Sequence, residues 1–344
     1  MRNALKAILS LTVLTSALPL MSFAEKGKSI YGEDDRVDFF SASAGMQKLS
    51  DSVVSFWDAK KIVFDPASNT YTLKTDNFGD KLGLCPGEKF REQTIGAFCS
   101  GALVGEDLIM TAGHCVTEET KCADTKLVFG YAVKEEGGQA PAKIAREEVY
   151  SCKKIIKRFQ GAESSAAASS GLGPDYALIQ LDRKVTGHKA LAVNRNSTLK
   201  KGNAVFVIGH PVGLPLKIAT GAKVRDTAPD GYFVTDLDTF GGNSGSPVFS
   251  AKTRLVEGIL VRGDEDFIQS PAGCTTLAVY PQIGGRGEDV TKVAELTAFI
   301  PKLDVEKEAE KAAEALVNAN TIKTVSIGDI AALRGFDAGN ISFQ

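Results

Sequence analysis

Histidine is scarce in this chain. His114, His188 and His210 are all that 344 residues contain, and no two stand at metal-ligand spacing, so no metal site is expected. There is also no block of lysine and arginine. Forty basic and 42 acidic side chains leave a formal net charge of -2, which gives no electrostatic case for nucleic acid or an anionic membrane, and neither partner is expected. Long apolar runs are missing too. The stretch from Ala7 to about Leu20 is interrupted by Pro19 and is short for a bilayer span. Arg2 and Lys6 precede it and Ser22-Phe23-Ala24 follows, so residues 1–24 read as a secretory signal peptide. With no cysteine after it to accept a lipid, the mature chain is expected to be exported, periplasmic or extracellular, without stable membrane association. Residues 25–28 then form a possible short pro-segment ending at Lys28.

What is present is enough apolar sequence, 43%, to bury a substantial core in one large or two modest domains. From Phe98 onward, short runs of Val, Ile, Leu and Phe alternate with Gly, Asp, Asn and Pro, the rhythm of an all-β sandwich or barrel. Ala102-Leu103-Val104 and Leu108-Ile109-Met110, around Gly105-Glu106-Asp107, predict a hairpin. Gly161 to Gly173 is rich in Ala, Ser and Gly and predicts a flexible surface loop. After Glu288, the spacing of Val290, Val293, Ala294, Leu296 and Phe299 predicts a terminal helix closed by Pro301. Beyond it, Val305, Ala309, Ala312 and Leu316 lie opposite Glu306, Lys307, Glu310 and Lys311, which predicts an amphipathic helix, docked on the protein's own surface or on a partner.

Three segments carry chemistry. Thr111-Ala112-Gly113-His114-Cys115 supplies an imidazole, Asp175-Tyr176-Ala177-Leu178-Ile179-Gln180-Leu181 an acid opening an apolar run, and Gly241-Gly242-Asn243-Ser244-Gly245-Ser246-Pro247 a serine between glycines. A serine hydroxyl attacks an amide only when an adjacent base takes its proton. His114 suits that role, because imidazole accepts and returns a proton near neutral pH. A carboxylate behind the ring fixes its tautomer and stabilises the imidazolium. Asp175 is preferred for this, with Asp182, beside Arg183 and Lys184, as its competitor. The glycines permit a tight turn in which the backbone N–H groups of Gly242 and Ser244 converge on an oxyanion. His188, in a Thr-Gly-His-Lys turn, is expected to be solvated, and His210, in Gly209-His210-Pro211-Val212-Gly213, to shape a loop.

These three segments, in the order His, Asp, Ser, resemble the chymotrypsin-fold serine endopeptidases. Within that family the bacterial glutamyl-endopeptidase branch looks most similar, through Asn243 before the serine and through Ser29-Ile30-Tyr31-Gly32-Glu33-Asp34-Asp35-Arg36, which is similar to that branch's mature start. The likeness runs over roughly residues 29–302. It implies two six-stranded antiparallel β-barrels with the active site in the seam, a C-terminal helix and a helical extension. The implied division is an N-terminal arm at 29–93, alternatively part of a propeptide, a first barrel at 94–195 with His and Asp, a second at 196–302 with Ser and the specificity pocket, and an extension at 303–344.

The resemblance also implies a Cys99–Cys115 disulfide closing the histidine loop, worth about 3 kcal/mol on the chain-entropy model. Cys85, Cys122, Cys152 and Cys274 allow three pairings, and proximity favours Cys122 with Cys152. In the trypsins that the chain resembles, an acid six residues before the serine forms the base of the primary pocket, which implies Asp238 here, where a carboxylate favours Lys or Arg, with Thr239 on the wall and Gly263 at an open mouth. Arg262 could neutralise Asp238, and Asp236 is the alternative acid. Leu260 stands where the glutamyl branch carries its specificity histidine, and Asn243 removes the ion-pair partner that trypsin-style activation needs. The expected activity is therefore hydrolysis of protein or peptide substrates after Lys or Arg, by a monomer without cofactors. The alternatives are glutamyl specificity and a catalytically silent binding module.

Overall fold

The computed structural model describes residues 29–161, 172–304, 306–308 and 311. The expected signal peptide and pro-segment, most of the Gly161–Gly173 loop and most of the C-terminal extension lie outside these residues. Asp304, Glu306, Lys307, Glu308 and Lys311 are helical. Among the described residues, no helix is long and apolar enough to cross a membrane.

Two closed six-stranded antiparallel barrels make up the fold, as expected. The first comprises β1 (Val53–Asp58), β2 (Cys99–Leu103), β3 (Leu108–Thr111), β4 (Thr125–Val128), β5 (Val149–Gln160) and β6 (Asp175–Leu181). They close in the order β1-β2-β3-β6-β5-β4. The second comprises β7 (Ala204–Gly209), β8 (Lys217–Asp226), β9 (Tyr232–Thr235), β10 (Pro247–Ser250), β11 (Val256–Arg262) and β12 (Glu288–Lys292). Its closing order, β7-β8-β9-β12-β11-β10, repeats the first. Closure leaves neither barrel an unpaired edge.

The near-continuous apolar runs have a physical reason. In β7, Val205 and Val207 point into the second barrel's interior with Val248, Leu260 and Val290. Phe206 and Ile208, on the opposite face of the strand, join a core that also holds Val54, Phe56, Leu103 and Ile109 of the first barrel. A strand buried on both faces has no polar side, so its sequence loses the two-residue alternation of a half-exposed sheet.

Two expectations need correction. The first barrel starts at Val53 rather than at residue 94: β1 pairs with both β2 and β4, so part of the supposed arm is a barrel stave whose removal would open the sheet. And the predicted terminal helix is absent. Glu288–Lys292 forms β12, followed by a 3-10 turn at Val293–Glu295. The hydrophobic spacing was compatible with a helix, but β9 and β11 each offer a pairing edge to this segment, and tertiary pairing overrides a local periodic signal.

The true arm is Ser29–Asp51. Ile30–Tyr31 pairs in parallel with Val279–Tyr280. Arg36–Asp38 extends β8, and Ser43 caps the helix Ala44–Ser50 by accepting the Met46 N–H. The expected Cys99–Cys115 and Cys122–Cys152 bonds are present, and Cys85–Cys274 ties the loops around the arm to the second barrel.

Candidate active site

His114 sits in a 3-10 turn, Gly113–Cys115, immediately after β3, and Asp175 is the first residue of β6. The pairing of β3 with β6 brings the two segments side by side. Asp175 Oδ2 lies 2.6 Å from His114 Nδ1, while Oδ1 accepts the N–H groups of Gly113 at 2.6 Å and His114 at 3.2 Å. The carboxylate thus holds both the ring and the turn that carries it. Residue 113 must be glycine: a Cβ there would lie 2.5 Å from Phe159 O and 2.8 Å from Asp175 Oδ1. From the second barrel, Thr291 anchors Asp175, its hydroxyl accepting the Asp175 N–H and donating to the Asp175 carbonyl, each at 2.9 Å. Asp182, the competitor, accepts from Ser151 N–H and pairs with Arg183 at the surface, away from this arrangement.

Ser244 occupies the turn between Phe240 and β10, with Gly242 at φ 88° and Gly245 at φ 90°. Both glycines are required. A Cβ on Gly245 would fall 2.0 Å from Ser100 O, and one on Gly242 2.7 Å from His210 O. His114, Asp175, Gly242 and Ser244 all line one cleft of about 1060 Å³, the seam where β3 and β6 of the first barrel meet the Ser244 turn of the second. Half-buried His114 and nearly buried Ser244 share that opening.

The expected specificity residues do not stay together. Gly263 lines the cleft, but Asp238 and Thr239 are not among its lining residues. Asp238 is 4% exposed, and its two oxygens accept the N–H groups of Tyr31 at 2.8 Å and Asp35 at 3.0 Å. The arm occupies this carboxylate, so Asp238 does not serve as an open pocket base. Burial, reinforced at Asp35 by the adjacent Asp238 charge, raises both carboxyls far above the usual range. Arg262 does not neutralise Asp238: it pairs with Asp289 at 2.8 Å. Asp236 accepts from Lys223 N–H and Gln282, again off the cleft.

The acids near the cleft are ones the sequence reading passed over. Asp264, Glu265 and Asp266 line it, and Asp266 Oδ2 accepts the Gly241 N–H at 2.9 Å. Behind Gly263 lies the fully buried Glu288, whose carboxylate accepts from Thr239 Oγ1 at 2.6 Å and Tyr31 Oη at 3.1 Å. A Cβ on Gly263 would meet its oxygens at 2.1 Å. The available signal was the acid pair Glu288-Asp289 at the head of a segment assigned to a helix.

The other two histidines separate sharply. His188 is half-buried, with a side chain only 8% exposed, rather than solvated. Its ring stacks on Phe129 at 4.2 Å, Nε2 lies 2.7 Å from Glu148 and Nδ1 3.1 Å from Asp51. Burial opposes its charge, but hydrogen bonds to the two carboxylates overcome this and push its pKa up to about 9. His210 does shape a loop: it is buried, donates from Nδ1 to Leu214 O at 3.0 Å, and is held neutral by desolvation, with its pKa down to about 3. Among the described residues, Cys99, His114 and Cys115 come within reach of a common ion. The two sulfurs are bonded to each other, so neither can be the thiolate a metal requires.

Fold and cleft together give two six-stranded antiparallel barrels with a histidine, an acid and a serine on the cleft between them. Residues 99–258 match the family model of the trypsin-like peptidase domain, a stretch that contains His114, Asp175 and Ser244. The chain is 28% identical over 173 residues to the secreted RxLR effector protein 73 of Plasmopara viticola, a match covering 46% of this chain and 40% of that relative's length. The VesB protease of Vibrio cholerae aligns over 77% of this chain and 66% of its own, at 13% identity and a TM-score of 0.44.

Proposed function

We propose that the chain is an exported serine endopeptidase that cleaves after Lys or Arg. The observation that carries this reading is the 2.6 Å His114–Asp175 contact opening onto the same cleft as Ser244. Ser244 Oγ attacks the scissile carbonyl carbon as His114 takes its proton. The oxyanion forms toward the N–H groups of Gly242 and Ser244. His114 then returns the proton to the leaving amine, which gives an acyl-enzyme, and water repeats the sequence to release the acid. The Asp175 carboxylate orients the ring and balances the imidazolium. Three disulfides favour an oxidising compartment.

Basic specificity rests on the acidic wall of Asp264, Glu265 and Asp266, since Arg262 on the same wall is already paired with Asp289. A Lys or Arg side chain bound there gains charge-assisted hydrogen bonds. Labelling by phenylmethanesulfonyl fluoride tests the mechanism: the oxidised protein should be modified at Ser244, and absence of modification would favour the silent binding module. Peptide-library profiling tests the specificity. Asp266→Asn should lower kcat/KM for Arg substrates about 10-fold or more, whereas Asp238→Asn should leave the preference in place. Cleavage after Glu but never after Lys or Arg would establish glutamyl specificity instead.

A further inference from the structure

Ser100, on β2 of the first barrel, is fully buried and belongs to no part of the proposed triad. Its hydroxyl donates to Gly242 O at 2.8 Å and accepts the His210 N–H at 2.9 Å. Its own N–H donates to Ser244 O at 2.9 Å. One residue of the first barrel therefore holds three backbone groups of the second, two of them in the nucleophile turn.

The loop His210–Gly213 holds that turn from another side. Val212 N–H donates to Gly241 O at 2.5 Å, and Gly213 N–H to His210 O at 3.0 Å. Val212 does this at φ 54°, a left-handed conformation that a β-branched residue adopts only when its surroundings impose it. The C=O and N–H of a trans peptide point in opposite directions. A Gly241 carbonyl committed to Val212 therefore turns the Gly242 N–H away from the loop, while a Gly242 carbonyl committed to Ser100 fixes the next peptide plane. The donor is aimed from both ends.

We infer that Ser100 is a positioning residue for the oxyanion hole: together with the His210–Gly213 loop it sets the direction of the Gly242 N–H. This rests on the hydrolytic reading above. Ser100→Ala removes one hydroxyl and leaves Gly242 O and His210 N–H without this partner, freeing the turn to rotate. Misaim of an oxyanion donor weakens transition-state binding and leaves ground-state binding almost untouched.

The test uses the full oxidised chain and a fluorogenic peptide with Arg at the cleavage position. Ser100→Ala should lose about 10- to 100-fold in kcat with KM within about twofold. Affinity for a peptidyl trifluoromethyl ketone, whose adduct carries the oxyanion, should fall by the same factor, and the melting temperature should stay within a few degrees. Ser100→Thr, which keeps the hydroxyl, should recover most of the rate. Undiminished kcat in Ser100→Ala overturns the inference, as does an equal loss in Ser100→Thr accompanied by lowered melting temperatures. If the wild-type chain is not labelled by the sulfonyl fluoride, the hydrolytic reading itself fails and this inference with it; wild-type labelling with normal turnover in Ser100→Ala removes only the positioning role.

Discussion

At the residue scale, Asp175 carries two loads that single substitutions can separate. Its Oδ2 faces the His114 ring and its Oδ1 ties down the Gly113 and His114 amides. Asp175→Asn keeps the volume and offers Nδ2–H in place of an acceptor, which sets the imidazole in the wrong tautomer. A loss in kcat on the order of 10⁴-fold with little change in KM is expected, measured on the fluorogenic Arg peptide, with near-ultraviolet circular dichroism unchanged. His188 is the second residue-scale test. Its pKa is raised above the unfolded value of 6.5 to about 9 by Asp51 and Glu148, so the folded state holds a proton the unfolded chain releases. The stabilisation is complete below about pH 6.5 and is lost as pH rises through about 9. His188→Gln should reduce unfolding free energy by roughly 1–3 kcal/mol at pH 6 and by much less at pH 10, as read from urea midpoints. A pH-independent difference would remove the charge argument.

At the element scale, the arm is the most informative segment. Asp35 and Asp238 place two carboxyls together at the junction of the arm with the second barrel, with Asp34 adding negative charge and Arg36 and Lys89 opposing it. Both folded pKa values are raised, so the folded state binds protons more tightly than the unfolded one. The contribution to stability is greatest at low pH and falls as pH climbs from about 4 toward 8. Asp35→Asn should flatten that slope and raise the melting temperature at pH 8 relative to wild type, while changing little at pH 4. The arm also bears on maturation. Cleavage behind Lys28 would leave Ser29 first, and if the protein removes this segment itself, the Ser244→Ala protein should begin at Glu25 on N-terminal sequencing. A Ser29 terminus in that inactive variant would assign the cut to another protease.

For the whole molecule, the Cys85–Cys274 bond spans 189 residues and links the loops flanking the arm to the wall carrying Asp264–Asp266. On the chain-entropy model a loop of this size contributes about 5 kcal/mol as an upper bound, reduced here because two other disulfides already restrict the unfolded chain. Cys85→Ser with Cys274→Ser should lower the urea midpoint under non-reducing conditions and disturb turnover of Arg peptides more than sulfonyl fluoride labelling, since Cys99–Cys115 and the His114–Asp175 contact are separate from it.

Much of the candidate site was legible in the sequence alone. A serine flanked by glycines, a histidine in a short Gly-His-Cys segment and an acid heading an apolar strand are local statements, because each depends on residue type within a few positions, whereas the Cys99–Cys115 loop came from the resemblance. The all-β character followed from runs such as Ala204–Ile208 in the same way. The pocket was not legible, and neither was the end of the second barrel. Whether Asp238 faces substrate or is taken up by the amides of Tyr31 and Asp35 depends on where a segment some 200 residues earlier in the chain docks. Whether Val290 and Val293 lie on a helix or divide between a strand and a turn depends on the free edges of β9 and β11. The same holds for Ser100 and His188, whose roles arise from partners distant in the chain. Residue chemistry and short-range pattern are written along the chain, while pairing, burial and the choice among competing acids are settled by long-range packing, where hydrogen-bond satisfaction and desolvation outweigh local preference.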